Sequence, residues 1–295
     1  MSVTSVVTMA NDAVYDAFCV LAQSLREQDP DITFRVVPFD DTITRISKLR
    51  EIFNFDFIEA DFTAVDRARA DLFPNVPYSA RLRKLAAFPA NSGCVFYIDA
   101  DTLLIRSVAD LFIEFKKSDA DIGFFAHSWE HVYRVDYKVE PRLRQTRAFS
   151  TGAMFVRTET VNARLILNTI EVNRDDYLRV RHEPLIDQPL INFVADIEKL
   201  AVSRIDEISA TASPRNWYQD PELSQVGADV CALNGREVVF LHWAGEHNAT
   251  HSPSLWNIPA QWRARRRIPF WELRQQCLAR AQNRISKFPN RAEML

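Results

Sequence analysis

Residues 95–104 read VFYIDADTLL, an acidic pair set between two apolar runs. The run from Cys94 to Ile98 predicts a buried strand, because a short apolar stretch between polar residues is typical of one. Asp99 and Asp101 follow it, and such carboxylates point the same way along a strand or flank one ion across a turn. Two negative charges without a partner between apolar segments would be energetically costly. The stretch therefore predicts a strand that ends in a divalent-cation site.

The chemistry of the acidic pair favours a hard cation. Mg²⁺ and Mn²⁺ prefer oxygen ligands and are usually shared between a few carboxylates and substrate phosphates. Asp99 and Asp101 also fit a solvated turn, because D-x-D is common by chance and acidic residues often end strands. The chain has only six glycines and neither G-x-G-x-x-G nor G-x-x-x-x-G-K-[ST], which excludes the standard phosphate loops. A bound phosphate would therefore need a metal.

The N-terminal part of the chain predicts alternating strands and helices. Residues 5–9 form an apolar, β-branched run, Asn11 and Asp12 are candidate caps, and apolar residues then recur at helical spacing. A second strand is predicted over residues 32–38. The expected fold class is α/β, with a mixed central sheet flanked by helices, in which ligands bind at the carboxyl ends of the strands.

Further elements are predicted downstream. The spacing predicts an amphipathic helix over residues 78–88, a helix over 161–172, and strands over 122–126, 153–156 and 237–241. At 295 residues the chain can form one large α/β domain. We expect this domain over residues 1–258 and an irregular C-terminal tail over residues 259–295.

Bulk composition is that of an ordinary globular protein, with 47% hydrophobic and 25% charged residues. The net charge of -3 argues against a general nucleic-acid binder, so no nucleic-acid partner is expected. The four cysteines are too widely spaced for a zinc motif or a disulfide scaffold. The first residues show no signal-peptide pattern, and no apolar run reaches about 18 residues. We expect a cytoplasmic protein, at most peripheral at the inner face of the membrane.

The order of several segments resembles a known family. VFYIDADTLL is similar to the D-x-D strand of GT-A glycosyltransferases, and the segments around it are most similar to those of glycosyltransferase family 8. The resemblance covers Val6 to Trp256 and also rests on TMANDAVYDAFCVLAQSL, SARLRKL, FSTGAMFV, IDQPLIN and LHWAGEHN. It implies the GT-A fold and transfer of a sugar from a nucleotide diphosphate donor, expected to be a UDP-sugar, with Mn²⁺ or Mg²⁺ as cofactor. It also implies a carbohydrate or glycolipid acceptor and retention of anomeric configuration.

The resemblance places a metal site on three residues. Asp99, Asp101 and His242 match the family's ligands, and an imidazole beside two carboxylates suits Mn²⁺. His242 ends the apolar run VVFLH, from which its ring can reach the ion. On the residues alone, a lone histidine at a strand end is more simply a structural residue.

Donor-binding and catalytic residues follow from the same resemblance. The donor-binding positions fall on Thr8, Ala10, Asn11, Asp12, Arg81, Lys84, Ala100, Thr151, Gly152, Gly245 and His247. Simpler interpretations are an N-cap at Asn11 or Asp12 and a solvated helix face at Arg81. Asp187 and Gln188 match the pair nearest the sugar and are the expected catalytic residues, although Asp187 also fits a helix cap before a proline.

The sequence departs from the family at two places. Ser150 or Thr151 stands where the family has the asparagine of F-N-x-G, and the late lysine that touches the diphosphate is missing from residues 245–248. The resemblance then leaves diphosphate contact to His247, His251, the metal or another segment.

Two other functions stay open at this point. One is a GT-A domain without activity that serves as a binding module. The other is a sugar-nucleotide pyrophosphorylase or a metal-dependent phosphate hydrolase with further histidine ligands. His127 and His131 have the i, i+4 spacing that places two residues on one helix face, and His247 and His251 repeat it.

The C-terminal segment over residues 261–295 is strongly basic, with nine basic and two acidic residues and a net charge of +7. Trp262, Ile268, Phe270 and Trp271 lie among its arginines. Basic residues interleaved with aromatics suit an acidic membrane surface or an anionic acceptor. The alternative is a basic helix whose aromatics pack onto the α/β core, which explains the tryptophans without a partner.

Overall fold

The strands of the protein lie mostly in one central sheet. The computed structural model describes residues 4–76, 79–90, 93–128, 132–134, 143, 147–182, 185–218, 220–226, 229–232, 234–243 and 268–288. In these ranges the strands are β1 Thr4–Ala10, β2 Thr33–Pro38, β3 Asp56–Phe57, β4 Cys94–Ile98, β5 Thr102–Leu104, β6 Ile122–Phe124, β7 Ala153–Arg157, β8 Val202–Arg204, β9 Leu223–Val226, β10 Asp229–Ala232 and β11 Phe240–His242.

Helices separate most of these strands. The α-helices are α1 Tyr15–Gln28, α2 Thr44–Ser47, α3 Arg50–Phe53, α4 Thr63–Leu72, α5 Ala109–Lys117, α6 Ala163–Val172, α7 Arg174–Val180, α8 Asp187–Ile197, α9 Ile205–Ile208 and α10 Ile268–Ser286. Two 3₁₀ helices, Asp12–Val14 and Ser79–Ala87, precede α1 and β4. The predicted alternation of strands and helices at the N-terminus is therefore confirmed.

The central sheet has seven strands in the order β3-β2-β1-β4-β7-β6-β8. Every neighbouring pair is parallel except the two that involve β7, so β7 runs against the rest. The carboxyl end of β4 consequently meets the amino end of β7, where Ile98 pairs with Ala153. This arrangement brings the residues just after β4 next to the residues just before β7.

Side-chain alternation along β4 divides the core into two halves. Phe96 and Ile98 pack into the cluster on one face of the sheet, which includes residues of α1, α5 and α10. Val95 and Tyr97 pack into the cluster on the other face, which includes residues of α6 and α8. A strand buried on both faces reads as a continuous apolar run, which explains why the sequence identified β4 so clearly.

A second, two-stranded sheet continues from the end of β4. After Asp101 the chain forms β5, which pairs antiparallel with β11 so that Thr102 faces His242. The backbone N–H of Trp243 also donates to the carbonyl of Asp101 at 2.9 Å. This pairing carries the predicted histidine strand to the acidic pair, although the two segments are about 140 residues apart.

The C-terminal segment forms a long helix, and the expected irregular tail is wrong for residues 268–286. Phe270, Cys277, Leu278, Ala281 and Ile285 are buried in the core cluster that contains α1. Their spacings of seven, one, three and four residues place them on one face of the helix, which packs on α1, so the sequence alternative of a packed basic helix is the one observed. The expected boundary between residues 258 and 259 lies outside the described residues.

Two other expectations needed correction. The amphipathic helix predicted over residues 78–88 is present, but as the 3₁₀ helix Ser79–Ala87, in which Leu82, Lys84 and Leu85 are buried. The strand predicted over residues 237–241 is shorter and later, at Phe240–His242, where it can pair with β5. Among the helices of the described ranges, none has a stretch long and apolar enough to cross a membrane.

The packing of α10 on α1 predicts a large stability effect from one buried residue. Leu278 is 3% exposed, so Leu278→Ala should lower the free energy of unfolding by about 2–5 kcal/mol through lost burial and a residual cavity. Gln282→Ala, at an exposed position of the same helix, should change it by less than about 0.5 kcal/mol. Urea unfolding followed by circular dichroism measures both, and equal effects would contradict the packing of this helix.

Candidate functional site

A cavity of about 320 Å³ opens at the carboxyl ends of β1 and β4. This is the edge at which ligands bind in open α/β sheets. Its lining comes from seven regions of the chain: the ends of β1 and β2, the 3₁₀ helix before β4, the β4–β5 junction, the start of β7, the start of α8 and the end of β11. The lining residues are Met9, Ala10, Asn11, Ala13, Val14, Phe39, Arg81, Lys84, Tyr97, Asp99, Ala100, Asp101, Ser150, Thr151, Gly152, Leu185, Asp187, Gln188 and His242.

Asp99, Asp101 and His242 meet at one side of this cavity. Each offers one ligand atom, and these atoms all lie within 4.8 Å of one another. His242 Nε2 is 3.1 Å from Asp101 Oδ1 and 3.8 Å from Asp99 Oδ2. The donor set of two carboxylates and one imidazole matches what Mn²⁺ accepts. The three residues predicted as ligands are therefore brought together by the fold, in a group whose chemistry fits such an ion.

Gly152 leaves the space in which this group assembles. A Cβ at residue 152 would lie 2.7 Å from His242 Cε1 and 2.9 Å from Asp99 Oδ2, closer than real Cβ contacts. The carbonyl of Gly152 also accepts from the backbone N–H of Asp99 at 2.7 Å. The glycine of the FSTGAMFV segment is thus required by the close approach of the imidazole and the carboxylate.

A buried lysine ties the acidic groups together. Lys84, whose side chain is 4% exposed, lies 2.5 Å from Asp187 Oδ2 and 3.4 Å from Asp99 Oδ1. Its ammonium also donates to the carbonyl of Thr151 at 3.2 Å, and the hydroxyl of Thr151 donates to Asp187 at 2.8 Å. One cation therefore links the 3₁₀ helix, the end of β4, the start of β7 and the start of α8.

These contacts set the protonation of the group. Burial acts to raise the pKa of Asp187, but the Lys84 ammonium outweighs it and holds the pKa of that carboxyl below its usual range. Burial raises the pKa of Asp99 in spite of Lys84, with the charge of Asp101 adding to the effect. Burial acts to lower the pKa of His242, yet the adjacent Asp101 carboxylate raises it overall. The imidazole is thus drawn toward the charged form by carboxylates that a metal would otherwise neutralise.

The predicted base pocket is only partly as expected. Ala10 and Asn11 line the cavity, and the Asn11 amide donates to Asp40 Oδ2 at 2.8 Å. Thr8 is fully buried and lies outside the lining, because its position on β1 points its side chain into the sheet packing. The carboxylate of Asp12 instead accepts the backbone N–H groups of Arg45 and Ile46, both at 3.0 Å, at the start of α2. Donor contact at Thr8 and Asp12 stays a prediction. The cap expected before the first helix is Asn11, whose side-chain oxygen accepts from the backbone N–H of Ala13, while Asp12 caps α2.

The other predicted donor residues divide into two groups. Those that line the cavity as expected are Arg81, Lys84, Ala100, Thr151 and Gly152. Gly245 and His247 lie outside the described residues, as do His131 and His251 of the alternative ligand set. His127 is described, and its ring packs edge-on against Phe124. Among the described residues, the group that could hold a metal is Asp99, Asp101 and His242, which His127 does not join.

The predicted catalytic pair begins α8 and faces the cavity. The Asp187 carboxylate accepts from Lys84 and Thr151, as described above. It therefore does not act as a simple helix cap. The Gln188 side-chain nitrogen donates to Ser128 Oγ at 2.8 Å. Its oxygen accepts from the backbone N–H of Thr151 at 3.4 Å. Gln188 is thus held at both ends of its amide with its oxygen toward the start of β7.

Sequence reasoning missed Tyr97 as a site residue. Its hydroxyl donates to Asp99 Oδ1 at 2.9 Å, and Lys84 Nζ lies 4.5 Å from its ring centroid. A signal was available, because Tyr97 stands two residues before Asp99 and strand alternation points both to the same face. Other lining residues that were missed carry no motif; they are Met9, Ala13, Val14, Phe39 and Leu185.

The chain was compared with known proteins. No family model matches it, and no curated protein matches its sequence. Its fold is similar to that of the galactosyltransferase LgtC in complex with donor and acceptor sugar analogues, with a TM-score of 0.55, 15% identity, and 94% of this chain and 95% of that chain covered.

Two further structures are similar. The bifunctional glycosyltransferase WbbM matches at a TM-score of 0.55 and 12% identity, over 99% of this chain and 51% of that chain. The glycosyltransferase GlyE of Streptococcus pneumoniae TIGR4 matches at 0.53 and 14% identity, over 98% of this chain and 65% of that chain. The expected GT-A fold is confirmed, and at these identities the likeness establishes the fold alone.

The lysine contacts predict a pH-dependent stability change. Lys84→Met should lower the free energy of unfolding at pH 7 by about 3–5 kcal/mol, because it leaves buried carboxylates without their cation. Without Lys84 the folded-state pKa of Asp187 should rise above its unfolded value. The loss of unfolding free energy caused by Lys84→Met should then be largest at neutral pH. It should shrink as the pH falls toward about 4, where the carboxyls of the unfolded chain also take up protons.

Urea unfolding at pH 7 and pH 5, in the presence of a chelator, measures this difference. Lys117→Met, at an exposed position of α5, is the matched control and should change stability by less than about 0.5 kcal/mol at both pH values. A Lys84→Met deficit of equal size at the two pH values would contradict the assignment of Lys84 as the counterion of the buried carboxylates.

Proposed function

We propose that this protein is a metal-dependent glycosyltransferase that moves a sugar from a nucleotide diphosphate donor to a carbohydrate acceptor. The observation that carries the proposal is the placement of Asp99, Asp101 and His242 at the wall of a cavity at the carboxyl edge of a GT-A sheet. A metal group in a core or on a flat surface would not support transfer. Here the same cavity also holds the polar pair Asp187 and Gln188.

Asp99, Asp101 and His242 are the residues that would hold the cation. When bound, the ion would supply Lewis-acid stabilisation of the negative charge that develops on the departing diphosphate. We infer Mn²⁺ or Mg²⁺, with the imidazole favouring Mn²⁺. Tyr97 and Lys84 hold Asp99 in place by contacts to Oδ1, which leaves Oδ2 on the side of His242.

The nucleotide would lie along the end of β1. Met9, Ala10, Val14 and Phe39 give this part of the cavity an apolar lining suited to a base, and Asn11 adds an amide for its polar edge. Asp40 accepts from the Asn11 nitrogen, and the Asn11 oxygen accepts from the backbone N–H of Ala13 at 3.2 Å, which leaves an amide oxygen the capacity for a second hydrogen bond. A uracil, with one N–H donor between two carbonyl acceptors, suits such an oxygen, and this supports the UDP-sugar assignment.

The donor sugar would lie between Asp187 and Gln188. Both side chains are fixed by hydrogen bonds within the protein, so their remaining acceptor positions are preorganised for sugar hydroxyls. A solved structure similar to this chain is an active-site mutant of LgtC in which a glutamine is replaced by glutamate, with a TM-score of 0.54 and 16% identity. The place of Gln188 at the reacting sugar is proposed on the family resemblance of the segment IDQPLIN. Retention of configuration is proposed on the family resemblance.

The metal site predicts a loss of both binding and turnover. Asp101→Asn should weaken Mn²⁺ binding at least tenfold, since even outer partners of metal ligands cost about 10–100-fold when mutated. It should also abolish sugar transfer and donor hydrolysis while the fold is kept, because the amide preserves shape but removes a charged ligand. Isothermal titration with Mn²⁺ in the presence of UDP measures the first effect, and release of UDP from UDP-sugars measures the second.

Asp119→Asn, at an exposed position after α5, is the matched control and should leave both measurements unchanged. Transfer activity that survives in the Asp101→Asn protein after chelation would overturn the metal-dependent mechanism. Donor hydrolysis in the wild type also separates an active enzyme from an inactive binding module.

A second prediction concerns the donor pocket. UDP should raise the melting temperature only when Mn²⁺ or Mg²⁺ is present, because the metal would bridge the protein and the diphosphate. At about 100 times Kd the gain is about 2.7 kcal/mol, which is roughly 4–5 °C for a chain of 295 residues. Uridine, which lacks the diphosphate, is the control and should give the same small shift with and without metal. An equal shift by UDP without metal would point to a different phosphate site.

A further inference from the structure

An exposed indole lies beside the candidate site. Trp217 is 47% exposed, and it is one of three large apolar side chains of the described residues that are this open to solvent. The other two, Ile113 and Val172, lie on helices α5 and α6. A half-exposed tryptophan is unusual for its large apolar area, since tryptophan is highly buried on average. A ligand bound next to the cavity would cover this exposed apolar area.

The register of the backbone places Trp217 on the cavity side. Trp217 forms a parallel bridge with His242, in which the His242 N–H donates to the carbonyl of Asn216 at 2.7 Å. Paired residues of neighbouring strands point to the same face, and adjacent strands are about 4.8 Å apart. Tyr218 and Trp243, one residue further on each strand, stack on the opposite face with ring centroids 5.3 Å apart. The Cβ of Trp217 therefore lies on the His242 side, one strand spacing away, and its indole makes an edge contact with the ring of Tyr218, with 6.4 Å between centroids.

The charged groups of the described residues in the turn that carries Trp217 are Arg215, Asp220 and Glu222, with a sum of -1. Arg215 pairs with Asp220 at 3.0 Å and with Glu222 at 2.7 Å, and the Arg215 and Glu222 side chains remain 42% and 47% exposed. The backbone N–H of Asp220 donates to the carbonyl of Trp217 at 2.8 Å, which closes the turn that presents the indole. The turn thus offers one aromatic face flanked by a guanidinium and carboxylates that already neutralise each other.

We propose that Trp217 is the stacking platform of an acceptor subsite that binds a neutral saccharide. This inference rests on the proposed glycosyl transfer and assigns its acceptor side. A pyranose ring has an apolar face of C–H groups that fits an aromatic ring and a rim of hydroxyls that hydrogen-bond to planar polar side chains. Trp217 supplies the first contact, and Arg215 and Glu222 supply the second.

The charges favour a neutral sugar over an acidic surface. A membrane of anionic lipids or a phosphorylated acceptor would be drawn to unpaired basic residues. At this turn the single arginine faces two carboxylates, so the local charge is slightly negative. The acceptor that the turn suits is therefore a carbohydrate without charge at the sugar in contact with the indole.

Binding of labelled protein to an array of defined glycans, in the presence of UDP and Mn²⁺, tests the proposal. The wild type should bind one or more neutral glycans, and Trp217→Ala should weaken that binding at least about tenfold, the loss of a stacking contact. Trp217→Phe, which keeps an aromatic face, should stay within about threefold of the wild type. Val172→Ala, at an exposed apolar position of α6, is the matched control and should bind as the wild type does.

The stabilisation by UDP with Mn²⁺ should be the same in all four proteins, which shows that the donor pocket is intact. The proposal is overturned if Trp217→Ala binds glycans as the wild type does, if the wild type binds no neutral glycan, or if it prefers anionic liposomes to glycans. A failure of the proposed function would look different, because UDP and Mn²⁺ would then not stabilise the wild type.

Discussion

The ion pairs of Lys84 are the interaction on which the site depends. Three carboxylates, those of Asp99, Asp101 and Asp187, face one cavity at the end of a buried strand. Without a cation their mutual repulsion and loss of hydration would oppose folding. Lys84 reaches two of them and leaves Asp101 to His242. The lysine thereby keeps a metal-binding group assembled at the junction of four segments.

The strand β4 explains how one short segment serves both the core and the chemistry. Its alternate residues fill the two halves of the core, so its position is fixed by packing on both faces. The chain then leaves the sheet at Asp99, whose backbone is bound to Gly152 before the antiparallel β7. This packing fixes the position of Asp99, and the absence of a side chain at Gly152 makes room for His242.

The C-terminal helix α10 contacts Trp243, the residue that follows His242 of the site. Arg274 of α10 is nearly fully buried and lies over the rings of Trp243 and Trp271, at 4.9 and 5.5 Å from their centroids. Trp243 follows His242 directly and stacks on Tyr218, which follows Trp217. One face of these paired segments is therefore anchored in the core, while the imidazole of His242 lines the cavity on the other side. The segment expected as a tail thus packs against the strand that carries His242.

The sequence alone determined the α/β class, strand β4, the acidic pair and, through the order of its segments, the GT-A fold and the metal group. These features are local, because they depend on apolar runs, strand alternation and residues adjacent to a strand end. Other features required the tertiary structure. The segment of Lys84 is a 3₁₀ helix in which the lysine is buried. Asp12 caps α2. The basic C-terminal segment is a helix that packs on α1. Trp217 lies beside the metal-site residue His242 only because the backbones of the two residues pair. Each of these outcomes depends on a partner distant in the chain, and the spacing of residues along a sequence carries no information about which distant segment will lie opposite.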